Sequence, residues 1–290
     1  MSKYLKMMRP HQWAKQSIVV IPVLSLGQSL TTESILLGCS AAVAFTLIAS
    51  FVYIINDYFD MAEDRLDSTR KSRPLASGMV SKFEMNTFLV VLSIFGITIN
   101  NFFSSNRLAT LTLLVIYISI NAIYSNYRLK NQNILGISIV AVGFPLRFAF
   151  GCLFLDIKLS FWALVLLMEL ALFMLSVKRY QRTLRKGTNS TNPSSHEFWL
   201  LAAIIFAAFF SASYAGFISA PSTQAIWGST ALLLSAIPMA LAIVRFLELA
   251  TQVQSWNTSD VTDSVFKDVS LVLLALTYVI TLLIGSLTHG

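Results

Sequence analysis

The chain of 290 residues is 56% hydrophobic and only 12% charged, with a mean hydropathy of +0.69, far from the roughly 25% charged residues of soluble domains. That composition excludes a soluble globular protein and indicates an all-α, polytopic membrane protein. The net charge of +7 is no nucleic-acid footprint, because the bases lie in loops between hydrophobic spans with no soluble module to present them.

Residues 1–16 are polar and basic, with no cleavable signal peptide evident. Within them Arg9, Pro10, Gln12, Trp13 and Lys15 read first as an interfacial anchor, with Trp13 at headgroup depth and the bases toward anionic lipid. Nine membrane helices in a single domain over residues 1–290 are expected, at 17–31, 34–56, 84–102, 108–125, 134–154, 160–178, 197–218, 224–247 and 267–287. Cys39 and Cys152 lie inside apolar runs and read as small buried hydrophobes. The longer connections, with the amino terminus, collect eighteen of the 21 bases. The positive-inside rule therefore puts them in the cytoplasm, with the chain in the inner (plasma) membrane.

The chemistry concentrates at the end of the second span. Asn56, Asp57, Asp60, Glu63 and Asp64 are followed there by Arg65, Asp67, Arg70, Lys71 and Arg73. If the helix continues through them, Asp57, Asp60 and Asp64 stand at i, i+3 and i+7 and their carboxylates project from one face. Like charges so placed repel one another unless a cation binds them. Mg²⁺ suits the site, since it takes oxygen ligands and is usually shared with substrate phosphates, which the downstream bases would hold. The bland alternative is a solvated juxtamembrane loop, against which stands the functional use of ionisable groups at the mouth of a membrane cavity.

The remaining signals keep two readings each. Tyr124, Ser125, Arg128 and Lys130 lie at the mouth of the fourth span. Lys178, Arg179 and Arg182 after the sixth are either a topology signal or an anion site. Asp260 and Asp263 before the ninth are either a second cation site or a helix cap. Arg147 and Glu169 lie within spans, where an unpaired charge is costly. They form a mutual salt bridge, or Arg147 holds a phosphate that Glu169 orients. Pro145 near Gly143 is expected to open its helix locally.

Asn-Asp-x-x-Asp-x-x-x-Asp at the end of the second span resembles the first aspartate motif of the UbiA superfamily of intramembrane prenyltransferases. Arg9-Pro10 with Trp13 and Lys15, Arg73-Pro74 with Gly78, Gly143-Phe144 with Arg147, and Lys178-Arg179-Tyr180 are closer to its decaprenyl-phosphate phosphoribosyltransferases, also called decaprenylphosphoryl-5-phosphoribose synthases. The third cytoplasmic loop is basic where aromatic-acceptor enzymes carry a second aspartate motif, and Arg182 and Gly136 stand where the phosphoribosyl branch has Glu and Asp. The resemblance implies a UbiA-like helical bundle with a cytoplasm-facing polar cavity. It also implies Mg²⁺-dependent transfer of 5-phosphoribosyl from phosphoribosyl pyrophosphate to a polyprenyl phosphate, for cell-envelope glycan synthesis. The alternative is a prenyltransferase moving a prenyl group from a prenyl diphosphate to an aromatic or other small acceptor. In either, Asp57, Asp60 and Asp64 are the metal ligands, with Asn56 beside them. Lys15, Arg65, Arg73, Tyr124, Lys130, Arg147, Lys178 and Arg179 are the candidate substrate-binding residues. The lipid bilayer is a partner and a homo-oligomer is allowed.

Overall fold

The computed structural model describes residues 2–68, 70–126, 134–185, 194–252 and 267–288, which are helices and turns without a strand. Among them 8 helices are long and apolar enough to cross a membrane, as a multi-pass membrane protein requires. The chain packs as two compact units, one of Met1–Val23 and Leu30–Leu159, the other of Leu24–Ser29 and Ser160–Gly290.

The first unit contains α1 (Lys3–Met7), α2 (Thr32–Phe59), α3 (Met61–Leu66), α4 (Lys82–Phe103), α5 (Arg107–Asn126) and α6 (Ile134–Leu155). Helix α2 is its hub and packs against α4, α5 and α6. Its start is set by a reciprocal cap: Ser34 N–H donates to Thr31 Oγ1 (3.1 Å) and Thr31 N–H to Ser34 Oγ (3.0 Å). Ala41, Phe45, Ile48 and Val52 recur at three- and four-residue spacing and form the buried stripe. The Phe45 ring meets Tyr117 of α5 at 4.9 Å and Phe150 of α6 at 5.2 Å. With 28 residues, α2 is about 42 Å long and exceeds a hydrocarbon core of about 30 Å. Its last turn carries Asn56 and Asp57.

The stretch expected as the first membrane α-helix, 17–31, is instead two 3₁₀ segments, Pro10–Val19 and Ile21–Ser29. Three local causes oppose the wider helix. Pro22 offers no N–H, Ser17 Oγ donates back to the Ala14 carbonyl (2.8 Å), and Gly27 takes a non-helical φ of 52°. Packing adds a fourth: the Val19 carbonyl presses on Gly151 of α6 where a side-chain methyl would overlap it.

The second unit contains α7 (Phe161–Arg185), α8 (Ser194–Ser219), α9 (Pro221–Trp227), α10 (Ser229–Thr251) and α11 (Val269–Thr288). Helix α7 lies on α8 and α10 on α11, around Phe173, Val177, Ala203, Phe246 and Leu271. The span expected over 224–247 is broken at Gly228, whose φ of 75° separates α9 from α10. Helix α11 is capped by Asp268, whose Oδ1 accepts from Leu271 N–H (2.9 Å) and Oδ2 from Arg245 (2.8 Å). Arg245 holds the Asp268 carboxyl below the usual carboxylate range. Asp260 and Asp263, the expected cap or cation site, lie outside the described residues.

Gly151→Ala tests the seating of the 3₁₀ segment on α6. Overpacking at such a contact costs about 1–3 kcal/mol, so the variant should melt below the wild type in detergent. An unchanged melting temperature would contradict the packing.

Candidate active site

One apolar cluster sets the geometry of the site. Met7 of α1, Ile54 of α2, Leu75 and Val80 of the loop after α3, and Met85, Leu89 and Leu92 of α4 are buried together. Burying Leu75 and Val80 folds that loop back over the end of α2, and burying Met7 brings in the amino terminus. Lys3 adds a clasp, donating to Glu84 Oε1 (2.5 Å), the residue that also caps α4 through the Ser81 N–H (2.9 Å). Two arginine-bearing segments thus converge on α2 from different parts of the chain.

The carboxylates there are buried: Asp57 is 5% exposed and Asp64 is 0% exposed. Helix α2 ends at Phe59, and Asp60 joins it to α3 with near-helical dihedrals (φ −84°, ψ −3°). The backbone ladder runs through the joint, from Asp60 N–H to the Asn56 carbonyl (2.9 Å) and from Asp64 N–H to the Asp60 carbonyl (2.9 Å). Asp57 and Asp64 consequently keep one side, as the i, i+7 spacing requires, while Asp60 is half-buried.

Guanidinium groups bind this pair. Arg73 Nη1 donates to Asp57 Oδ1 (2.9 Å) and to Asp64 Oδ2 (2.7 Å), bridging the two. Arg9 Nη2 bonds the same Asp57 Oδ1. Arg70 Nη1 reaches Asp64 Oδ1 (3.3 Å), and its Nη2 reaches Asp67 (2.9 Å). Burial pushes the Asp64 carboxyl above its ordinary range, against the opposing pull of Arg73 and Arg70. Arg9 adopts a left-handed φ of 52°, strained for a non-glycine residue, and its guanidinium lies over the Tyr53 ring at 5.6 Å.

One layer further along the unit lies Arg147, 5% exposed. Its Nε donates to Gln16 Oε1 (3.0 Å), Nη1 to the Gly143 carbonyl (2.5 Å) and Nη2 to Tyr117 Oη (3.0 Å). The guanidinium also faces the rings of Phe45 (5.5 Å), Tyr117 (5.3 Å) and Phe144 (5.7 Å). Helix α6 runs without interruption past Pro145, and Arg147 answers the Gly143 carbonyl beside it. Because Nε can only donate, it fixes the Gln16 amide with oxygen inward and leaves Gln16 Nε2 buried without a partner among the described residues.

The other expected site residues divide by neighbourhood. Asn56 Oδ1 accepts from Ser125 Oγ of α5 (2.7 Å), with Tyr124 half-buried next to it in sequence. Arg65 turns toward the loop backbone, its Nε donating to the Ala76 carbonyl (3.2 Å), and Lys15 bonds Gln12. Lys130 lies outside the described residues. In the second unit, Lys178 and Arg179 are half-buried on α7, Arg179 lies over the Trp199 ring at 5.8 Å, and Glu169 accepts from Ser213 (2.9 Å). Sequence reasoning missed Arg9 and Arg70 as neighbours of the carboxylates. The only signals for them were a charge beside Pro10 and the apolar Leu75 and Val80 that fold the loop back.

Among the described residues no three His, Cys, Asp or Glu side chains converge as a ready metal group. What does converge is a pair of buried carboxylates on a single nitrogen. Hard oxygen donors this close fit a cation of the Mg²⁺ class, which needs only one or two protein carboxylates.

The UbiA prenyltransferase family matches residues 18–259. The chain is 30% identical to a decaprenyl-phosphate phosphoribosyltransferase of Mycobacterium tuberculosis over 96% of its own length and 92% of the relative's. It is 31% identical to the protein of that name from Corynebacterium glutamicum, over 83% and 75%. Among solved structures, a UbiA homolog from Archaeoglobus fulgidus bound to GPP and Mg²⁺ superposes with a TM-score of 0.68 at 15% identity, covering 99% and 100% of the two chains. A digeranylgeranylglyceryl phosphate synthase superposes at 0.66 and 20% identity, covering 99% and 98%.

Stability should rank two substitutions at this site. Asp64→Asn strips a buried charge from Arg70 and Arg73, and removing one partner of a buried pair costs about 3–5 kcal/mol. Asp60→Asn, at a half-buried joint, should cost clearly less. Equal losses in denaturation curves of the two variants would refute the buried network.

Proposed function

The chain belongs to the UbiA prenyltransferase family, and we propose that it moves a 5-phosphoribosyl group from phosphoribosyl pyrophosphate to a polyprenyl phosphate, releasing pyrophosphate. The observation that carries this reading is the 30% identity, over 96% of the chain, to a relative named decaprenyl-phosphate phosphoribosyltransferase. The basic character of Lys178, Arg179 and Arg182 supports it, because two phosphorylated substrates need more cations than one diphosphate does. The product would serve cell-envelope glycan synthesis on the cytoplasmic face of the inner membrane.

An oxygen of the lipid phosphate attacks the anomeric carbon, the bond from that carbon to the pyrophosphate oxygen breaks, and pyrophosphate leaves with the electron pair. The lipid phosphate is already an anion at pH 7, so the chain has no nucleophile to supply and no proton to remove; its task is positioning. Asp57 and Asp64, with Asp60 and Asn56 beside them, would hold Mg²⁺, which when bound would neutralise charge at the leaving group. Arg73, Lys130, Lys178 and Arg179 are the residues assigned to phosphates, and Lys15, Arg65 and Tyr124 are further substrate-binding candidates. Arg147 fixes a planar, permanently charged group against a phosphate, a role its guanidinium suits better than an ammonium would.

Membranes carrying the protein, incubated with labelled phosphoribosyl pyrophosphate, polyprenyl phosphate and Mg²⁺, should yield labelled lipid on extraction. Label that stays aqueous while a prenyl diphosphate is consumed would instead establish the prenyltransferase alternative. Replacing Lys178 or Arg179 with Ala should raise the donor KM, since a hydrogen bond to a charged group is worth roughly 1.5–3 kcal/mol, or about ten- to a hundredfold in binding. A donor KM unchanged in both variants would return that cluster to topology alone.

A further inference from the structure

Metal and diphosphate reach this site under a constraint that the arginines impose. Asp57 and Asp64 are buried, with side chains 6% and 1% exposed. The guanidiniums bound to them come from the solvent side: the side chains of Arg9, Arg73 and Arg70 are 21%, 27% and 44% exposed. The arginines are thus the more solvent-accessible partners of the pairs. Asp57, Asp64 and Asp67 are each paired with one or more of these three arginines. A divalent cation entering it adds two positive charges beside guanidiniums that cannot lose their own.

We propose that Arg73, assisted by Arg9, is an exchangeable internal counter-ion: a divalent cation binds Asp57 and Asp64 only by displacing guanidinium, which then transfers to the diphosphate of the donor. The displaced arginine gives up two carboxylate oxygens that share one of its nitrogens and gains phosphate oxygens, which its planar fork can take bidentately. Metal and diphosphate consequently help each other bind, and by linkage the help is equal in both directions. The shared Nη1 of Arg73 is the centre of the exchange, because the space between Asp57 Oδ1 and Asp64 Oδ2 is where a cation would lie. Arg9 is poised to leave, because its contact with Asp57 is made from a left-handed backbone, a strained conformation that the surroundings must sustain.

This inference rests on the metal-and-diphosphate part of the proposed function and not on the identity of the sugar. The test therefore uses neither phosphoribosyl pyrophosphate nor lipid. Mn²⁺, as a paramagnetic probe, is titrated into the purified full-length protein in detergent, with and without pyrophosphate, and bound metal is read by electron paramagnetic resonance. In the wild type, pyrophosphate should tighten Mn²⁺ about tenfold or more, within the usual range of coupling between sites. In Arg73→Gln, Mn²⁺ alone should bind several-fold tighter than in the wild type, and the enhancement by pyrophosphate should shrink. Arg73→Lys should retain part of it. A merely structural arginine would move Mn²⁺ affinity the other way, by loosening the carboxylates. Mn²⁺ affinity that is unchanged or weaker in Arg73→Gln, with the coupling intact, would overturn the exchange. If Arg73→Gln does not fold, Arg9→Gln reads the same quantity at the same oxygen, and an unaltered Mn²⁺ affinity there would overturn it equally. Failure of the labelled-lipid assay together with success here would leave the exchange standing and remove only the phosphoribosyl donor.

Discussion

Two carboxylates buried within reach of one nitrogen set the terms for the first unit. Asp57 and Asp64 repel each other in a region where water screens little, and unpaired they would oppose folding. Arg73 bridges them, and it can do so only because Leu75 and Val80 bury themselves beside Met85 and Leu89 and carry the loop back. Met7 in the same apolar cluster delivers Arg9. The polar centre is thus assembled by hydrophobic burial at its rim. The length of α2 supplies the rest, since its 28 residues exceed what a hydrocarbon core requires and its last turn carries Asn56 and Asp57.

Much of this was legible in the sequence because hydrocarbon imposes strong rules. Seven of the expected membrane spans appear as single long helices, and the Asp57 and Asp64 pair falls on one side as an i, i+7 spacing demands. The failures have local causes. Gly228 interrupts an apolar run whose hydropathy alone gives no hint of a break. Asp268 caps α11, a role that the sequence reading did not assign to it. Arg9 and Arg70 meet the carboxylates through tertiary folding of loops, for which a single sequence carries no periodic signal.

Arg147 shows a different limit. The sequence offered Glu169 as its partner, since both are ionisable groups within spans. In the structure the guanidinium is met by an amide oxygen, a backbone carbonyl, a phenol hydroxyl and ring faces, while Glu169 is met by Ser213. A buried cation satisfied by neutral groups keeps its positive charge without a counter-ion beside it among the described residues. Opposite formal charges suggest pairing in a sequence, but hydrogen-bond geometry decides whether a charge is cancelled or merely held.

The 3₁₀ segments bear on how this protein can vary in length. Such a helix turns once every three residues and rises about 2.0 Å per residue, so Gln16, Val19 and Pro22, all buried, stand in one column like teeth on a rack. Sliding the rack by one tooth keeps a column facing inward, but any other displacement rotates Gln16 away from Arg147 and Val19 away from Gly151. Insertions and deletions in this segment should therefore be tolerated in threes, a rule of arithmetic rather than of composition, whereas an α-helical span would absorb them in threes or fours alike.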